Sequence, residues 1–530
     1  MVLKSRQMKR KKINVLVGLT AVLMVSSTLS CKKVDDFGTL NTDPNAATVP
    51  VTGALFTSVL SNMHALAFGP AAPANTPSLN ADIAGLYCQY YSETQYTDVS
   101  IFSKESLNWD DFFGANVFAQ PTPNQFTQNG MLFDLQTIIK TNTDPKTKAA
   151  AVNYGSNANQ IAVARILKAY IFSVITDMYG DMPYFNTLAG DNGQVAYTKQ
   201  KDIFTDLFKE LNEAVAQFDG GANIQGDIFL DGTPASWKKF ANSIHALLAL
   251  HLSKVDPATG KTEFAKALAG GLIDKDLVMN YPGGNFFNPV YRYYDITKRF
   301  DYAVSQTLTD WLSGHSDPRG QANVYATTSV GFPFGLARNA AVAFANANTN
   351  YAKVMAGQSE SSTASFPILG VGEMLLARAE AAERGWTAED PVALYGQGIR
   401  AAWDLWTPKG TDAASVAEAA NFGNTQYTTY MASPDITLSS GDPLTKICTQ
   451  EWVTHYPNGV RGWTLWRRTG VPALVGGPAA VTAGKAIPRR FAYGPNEYST
   501  NSANVAPVAT QYTVQGDADS QLARMWWDAQ

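Results

Sequence analysis

The feature that most constrains the fold is a long amphipathic segment at residues 161–178, which runs into a short acidic and aromatic turn. Its apolar side chains recur at steps of three and four, the period of one face of an α-helix. Gly180 tolerates the backbone angles that follow a helix end, and Pro183 prevents the helix from resuming at once. A single helix of this kind is compatible with many folds, so the remaining segments decide the architecture.

Similar helical periods recur along the chain and predict paired helices. They lie at residues 51–68, 203–218, 236–252, 374–384, 391–406 and 444–452. Small alanines on one helix and bulky rings on the next are typical of tetratricopeptide-type helix pairs. Because no strict repeat is present, we predict a degenerate set of such pairs. The fold class is therefore predicted to be mainly α, with residues 51–530 forming one large domain.

Two long stretches, residues 69–154 and 283–363, lack a helical period and are rich in aromatic and polar side chains. Flat rings beside amides and carboxylates can stack on sugar C–H faces while the polar groups bind hydroxyls. Core packing is the alternative explanation for the same rings. Loops on a rigid scaffold are where binding residues concentrate. The candidate ligand-binding residues are Tyr87, Tyr90, Tyr91, Tyr96, Trp109, Tyr291, Tyr293 and Tyr294.

The first 30 residues have the pattern of a signal peptide. A basic start precedes an apolar run at residues 13–25, which is too short for a membrane span. Small residues then lead to Cys31, and this arrangement resembles a bacterial lipoprotein signal with lipidation at that cysteine. Thr28 departs from the pattern, because an aliphatic residue is expected there. Ordinary secretion with an incidental cysteine is the alternative, and residues 31–50 are predicted to be a polar tether.

Several separated motifs resemble the SusD/RagB family of surface nutrient-binding lipoproteins. They are T-D-x-Y-G-D-x-P-Y at residues 176–184, L-N-x-D-P-N-A-x-T-V-P at 40–50, W-x-x-W-R-R-T-G at 463–470, I-P-R-R at 487–490 and W-W-D at 526–528. The resemblance implies a Bacteroidetes outer-membrane protein, lipid-anchored and exposed at the cell surface. It also implies binding of an oligosaccharide, or a peptide, and delivery to a SusC-like TonB-dependent transporter. The aromatic loops match no family pattern, so no ligand residue follows from the resemblance.

Composition and the absence of certain motifs argue against several other functions. The net charge of −4 argues against nucleic acid as a partner. The three cysteines, Cys31, Cys88 and Cys448, have no metal-ligand spacing, and no G-x-S-x-G motif is present. We therefore predict no catalytic residue, no metal and no cofactor, and a protein that is not an enzyme. A helical glycoside hydrolase and a helix-repeat scaffold that binds no ligand remain the alternatives.

Some polar residues have a structural explanation from the sequence alone. His245 and His251 lie near the apolar face of one predicted helix without metal-binding spacing, which favours packed or capping roles. The arginines of the two C-terminal motifs are expected to stack on tryptophan and bind carbonyls at a structural seam.

Overall fold

The fold is taken from a computed structural model, and the statements below concern the residues that it describes. These are residues 49–66, 81–103, 130–188, 194–284, 286–320, 329–356, 361–409, 411 and 413–529. They belong to one compact unit, Val49–Gln530.

Helices account for most of the regular structure in this part of the chain. In chain order they are α1 Thr52–Ser61, α2 Ala81–Tyr87, α3 Met131–Thr143, α4 Lys148–Ala151, α5 Asn157–Tyr179, α6 Gln200–Gln217, α7 Pro234–His251, α8 Pro257–Gly270, α9 Pro289–Tyr291, α10 Gln306–Gly314, α11 Arg338–Ala347, α12 Val371–Glu383, α13 Pro391–Trp406, α14 Ala413–Ala419, α15 Asn424–Ala432, α16 Pro443–His455, α17 Gly459–Thr469, α18 Pro495–Thr500 and α19 Ser502–Gln511. The mainly helical fold class is confirmed.

Short strands form three antiparallel pairs. The strands are β1 Tyr91–Glu93, β2 Met182–Pro183, β3 Tyr197–Thr198, β4 Leu277–Met279, β5 Tyr302–Val304 and β6 Phe366–Leu369. Strand β1 pairs with β5, β2 with β3, and β4 with β6. In two of the three pairs the strands are distant along the chain. These pairs therefore join helical regions that are far apart in the sequence.

Helix α5 occupies the centre of the fold and confirms the first prediction from the sequence. It begins after Ser156, whose Oγ accepts a hydrogen bond from the Asn159 N–H at 3.1 Å. It ends at Gly180, which has φ 82° and therefore lies in the region that favours glycine. Helices α3, α6, α7 and α17 all pack against α5. Most of its length is buried because neighbours cover it on several sides.

Neighbouring helices pack as pairs, among them α5 with α6, α7 with α8, and α12 with α13. The last pair approaches closely because small residues line the contact. A Cβ added at Gly372 would lie 2.8 Å from the backbone nitrogen of Ala402 and 2.9 Å from the carbonyl oxygen of Gly398. Such distances are shorter than real Cβ contacts allow. The glycines and alanines therefore set the spacing of this pair.

The two stretches predicted to be irregular contain helices, so that prediction is wrong in part. Residues 69–154 include α2, α3 and α4, and residues 283–363 include α10 and α11. In α3, Met131, Leu135 and Ile138 are buried at helical spacing. The pattern is short, and polar residues interrupt it, so it is weak in the sequence.

Arg467 on α17 is the centre of a buried seam between the C-terminal region and α5. Its guanidinium carbon lies 3.5 Å from the ring centroid of Trp463 and 4.8 Å from that of Trp527. Its Nη1 donates to the carbonyl oxygens of Asp177, at 2.5 Å, and Arg489, at 3.0 Å. Cation–π contacts and carbonyl acceptors together replace the water that the guanidinium loses on burial.

Two further arginines extend this seam. Arg489 donates through Nε and Nη2 to the two carboxylate oxygens of Asp528, both at 2.6 Å. Arg490 donates through Nη1 to Asp519 Oδ1 at 2.5 Å, and its guanidinium carbon lies 4.1 Å from the ring centroid of Tyr512. These contacts confirm the structural role predicted for the arginines.

A second buried network joins α12, α16 and α17. Arg468 bonds both carboxylate oxygens of Glu380, and Arg384 Nε donates to Glu380 Oε1 at 2.7 Å. Burial opposes ionisation of Glu380, but the charges of Arg468 and Arg384 outweigh it and lower its pKa to about 2. Burial, together with the neighbouring charge of Glu380, raises the pKa of Glu451 well above its ordinary value. Glu380 is therefore the ionised partner of the arginines.

Replacing Arg468 by alanine should destabilise the protein strongly, because the buried Glu380 carboxylate would lose its bidentate partner. Breaking a buried pair in this way costs about 3–5 kcal/mol of the free energy of unfolding. The matched control is Lys239→Ala, which removes the partner of Asp274 from an exposed pair and should cost at most about 1 kcal/mol. Urea denaturation followed by circular dichroism measures both. Equal losses in the two variants would contradict the assignment.

His455 should make stability depend on pH. Its Nδ1 lies 3.0 Å from Glu373 Oε2. Burial lowers its pKa, and the opposing effect of Glu373 does not compensate. The fold therefore favours the neutral ring. The neutral ring contributes its full share of the free energy of unfolding above the ordinary histidine pKa of about 6.5. That share is lost as pH falls through the lowered pKa of the folded state.

The measurement compares urea denaturation of wild type and His455→Gln at about pH 7.5 and about pH 5.5, on either side of the ordinary histidine pKa. Wild type should lose more unfolding free energy on acidification than the variant, because glutamine does not titrate. Identical losses would show that His455 does not contribute.

Candidate ligand-binding face

Three of the predicted ligand-binding rings lie in the core, which contradicts their assignment to a binding surface. Tyr87, Tyr90 and Tyr91 have no exposed surface. The Tyr90 hydroxyl donates to the carbonyl of Trp452, and the Tyr91 hydroxyl donates to that of Pro457 at 2.5 Å. These rings are buried because α2 and the segment after it pack against α16 and α17.

Tyr293 and Tyr294 are also buried, so their predicted contact with ligand is wrong as well. Both belong to a π-helical turn, Arg292–Ile296, that points the two rings inward. The Tyr294 hydroxyl donates to the carbonyl of Tyr302 at 2.9 Å, and the Tyr293 hydroxyl accepts from the Asp301 N–H at 3.1 Å. The two rings support the loop from beneath.

The remaining candidates divide into exposed rings and residues outside the described part. Tyr96 is 49% exposed, and Tyr291 is partly exposed. A hydrogen bond to Asp295 raises the pKa of Tyr291 and fixes its hydroxyl. Trp109 and Cys31 lie outside the described residues. Two of the eight predicted rings therefore have surface that a ligand can reach in the described structure.

Strand pairing brings the two aromatic stretches of the sequence together. In the β1–β5 pair, Tyr91 lies opposite Val304 and Glu93 opposite Tyr302. The Glu93 carboxylate accepts hydrogen bonds from the backbone N–H groups of Val99, at 3.1 Å, and Ser100, at 2.8 Å. These bonds fold residues 94–100 into a fixed turn. Tyr96 is thereby held on a defined turn at the end of the strand pair.

Charged residues lie beside the turn that carries Tyr96, since the Thr94 N–H donates to the Asp301 carbonyl at 2.8 Å. We call Tyr96, Arg299, Asp301 and Arg338 the Tyr96 face. The Arg338 guanidinium carbon lies 5.2 Å from the Tyr96 ring centroid. Arg299 Nε donates to Asp301 Oδ2 at 2.6 Å. Arg338 is exposed and forms no ion pair with any residue in the described part. This face combines an accessible ring with donors and an acceptor, the groups that bind hydroxyls.

Arg338 was not among the candidates identified from the sequence. It lies at the start of α11, far from Tyr96 along the chain, and only the packing of α11 beside β5 brings the two together. No local pattern signals such a contact.

A cavity of about 70 Å³ lies beside α5, α7 and α17. Its lining includes the buried pair of His251 and Asp177, whose Nε2 and Oδ2 atoms lie 2.9 Å apart. His251 Nδ1 also lies 2.9 Å from the Leu247 carbonyl oxygen, which confirms its packed role. A space of this size admits a few waters, and we assign the cavity to the internal charge network.

One buried group of possible metal ligands consists of Glu380, Cys448 and Glu451, whose ligand atoms lie within 4.8 Å of one another. Arg468 and Arg384 already contact Glu380. A cation at this place would have to compete with two guanidinium groups. The donor set therefore fits an internal ion network better than a metal centre.

Comparison with known proteins identifies the family. A model of the SusD-like family, described as "Starch-binding associating with outer membrane", matches residues 44–494. No curated protein matches the chain. No helix in the described ranges is long and apolar enough to cross a membrane.

Solved structures share the fold. A SusD homologue from Bacteroides fragilis is 21% identical with a TM-score of 0.73, and the match covers 90% of this chain and 100% of that chain. A chitin-binding protein is 23% identical with a TM-score of 0.69 and the same coverage. A chitin-binding SusD homologue from Flavobacterium johnsoniae is 20% identical with a TM-score of 0.65, covering 90% and 98%. With the family model matching most of its length, the chain belongs to the SusD-like family.

Proposed function

We propose that the protein binds an oligosaccharide at the cell surface through the Tyr96 face, with a peptide as the alternative ligand. The observation that carries the proposal is a half-exposed ring on a turn fixed by strand pairing, beside an arginine that no carboxylate of the described part pairs with. Two of the similar solved structures are described as chitin-binding, which supports a glycan as the ligand class.

The proposed binding mode follows from the groups on this face. The Tyr96 ring stacks on the apolar C–H face of a sugar, while Arg338 donates hydrogen bonds to hydroxyls. Asp301 supplies an acceptor, and Arg299 holds that carboxylate in place. Tyr291 is partly exposed and is the other predicted ring of the described part that a ligand can reach. Because the turn is held in place before the ligand arrives, little ordering is needed on binding.

We further propose that the bound nutrient is delivered intact to a SusC-like TonB-dependent transporter. The family description, which places its members in association with the outer membrane, supports this partner. Delivery requires binding without cleavage. An oligosaccharide recovered unchanged after long incubation agrees with this, and shortened products would instead indicate the hydrolase alternative.

Tyr96→Ala should weaken ligand binding without affecting the fold, because this ring is exposed and makes few core contacts. Loss of a stacking ring costs about 1–3 kcal/mol, which is roughly a 5- to 150-fold rise in Kd. A glycan and peptide array probed with the chain lacking residues 1–31 identifies ligands, and isothermal titration calorimetry then measures Kd.

The matched control is Tyr498→Ala, which removes a tyrosine that is 41% exposed and belongs to α18. It should leave Kd unchanged. Tyr90→Ala is the packing control and should lower Tm, because that ring is fully buried. Unchanged binding by Tyr96→Ala would place the ligand elsewhere.

We also propose that the chain is anchored to the outer membrane by lipidation of Cys31. The support is the basic start, the short apolar run and the cysteine that follows them. Cys31→Ala should abolish incorporation of a fatty-acid probe and release the protein from the membrane fraction. Ser30→Ala is the neighbouring control and should label normally. Equal labelling of Cys31→Ala and wild type would refute the anchor.

A further inference from the structure

A second cleft lies between α5 and α6 and shares no residue with the Tyr96 face. It has a volume of about 360 Å³, and the turn that follows α5 closes one end. Small-molecule sites commonly measure about 300–1,000 Å³. The cleft is therefore large enough for a ligand of one or a few sugar rings.

Three aromatic rings form a row along this cleft. Phe172 and Tyr184 are buried, with ring centroids 4.8 Å apart, and Phe185 is 50% exposed with its centroid 5.0 Å from Tyr184. The Tyr184 hydroxyl donates to Asp206 Oδ2 at 2.9 Å, which fixes the middle ring. The outer ring is thus an exposed aromatic surface on a rigid base.

The polar groups of the cleft are balanced in charge. Lys168 and Lys209 supply two positive charges, and Asp206 and Glu210 supply two negative charges. A phosphate or sulfate ligand would face both carboxylates, and a polyamine would face both ammonium groups. This lining therefore favours a ligand without net charge.

Asn186 contributes an amide at the rim of the cleft. It has φ 63°, a conformation that asparagine adopts more readily than most residues. Its side chain is exposed and forms no hydrogen bond to any other residue of the described ranges. An amide that can both donate and accept suits a sugar hydroxyl, which does the same.

We propose that this Phe185 cleft, lined by Lys168, Phe172, Tyr184, Phe185, Asn186 and Asp206, is a second binding site for a neutral saccharide. Phe185 stacks on the C–H face of a sugar, and Asn186 and Asp206 bind its hydroxyls. The ligand class rests on the proposed function, whereas the location rests on the cleft itself. Two sites on one chain would hold a polysaccharide more tightly than either alone, since the second contact becomes intramolecular.

Isothermal titration calorimetry with chitohexaose, cellohexaose and maltoheptaose tests the proposal. Wild type, Phe185→Ala, Tyr96→Ala and the double variant are compared. With at least one probe, wild type should bind two equivalents, each single variant one, and the double variant none. Truncation of a stacking ring should raise the Kd of its own site by roughly 5- to 150-fold, so equivalents are counted at ligand concentrations that only just saturate wild type. Val392→Ala, which truncates an apolar side chain that is 60% exposed on α13, should keep both sites.

A second variant separates recognition from folding. Asn186→Gly removes the amide but keeps a residue suited to the left-handed backbone. It should weaken the Phe185 site while leaving Tm unchanged. Two equivalents bound by both Phe185→Ala and Asn186→Gly would overturn the second site.

The remaining outcomes distinguish this inference from the proposed function. One equivalent, lost with Tyr96→Ala and kept with Phe185→Ala, supports the Tyr96 face and overturns the Phe185 cleft. One equivalent with the reverse behaviour supports the cleft and overturns the Tyr96 assignment. No binding of any probe by wild type would overturn the neutral-saccharide assignment of the cleft, whereas a peptide found on the array would still support the Tyr96 face.

Discussion

The burial of Arg467 between two tryptophan rings is the interaction on which the rest of the fold depends. Removing a guanidinium from water costs several kcal/mol unless every donor finds an acceptor. Here the acceptors are backbone carbonyls of α5 and of the segment after α17. The charge is therefore compatible with the core only when these segments have reached their final positions. This constraint makes their assembly cooperative.

The same need for buried charges to meet fixed partners applies to the other ion pairs in the interior of this protein, although it has few charged residues. Only 16% of the residues are charged, below the roughly 25% of typical soluble domains. Arg319, Arg467, Arg468 and Arg490 are all buried. These buried arginines form directional hydrogen bonds to carboxylates and carbonyls, which fix how the helices meet.

Helices could be predicted from the sequence wherever a long apolar stripe was present, as in α5, α6, α7 and α13. Helix α17 was not predicted, because Gly459 and Gly462 are weak helix formers and its tryptophans serve contacts with distant segments. The family motifs predicted more of the architecture than the local helical patterns did. They mark positions such as Gly180 and Arg467, where a unique backbone or contact is required.

The candidate binding face was harder to predict, because burial of a ring in a turn depends on distant partners. Tyr90 and Tyr96 are six positions apart in similar surroundings, yet α16 covers the first and nothing in the described part covers the second to the same degree. The sequence placed the candidate rings in two stretches, and the β1–β5 pairing brings these stretches together. Arg338 carries no local signal, since its contact with Tyr96 comes from the packing of α11 beside β5. Phe185 directly follows the family motif at residues 176–184, but its place in a cleft depends on α6.

The position of Trp527 and Asp528 has a consequence for how the chain is made. These residues complete the seam around Arg467 and Arg489, yet they are synthesised after every helix of the described part. Until they emerge from the ribosome, Arg467 lacks the second of its two tryptophan rings and Arg489 lacks its carboxylate partner. The seam is therefore completed only after the helices of the described part have been made.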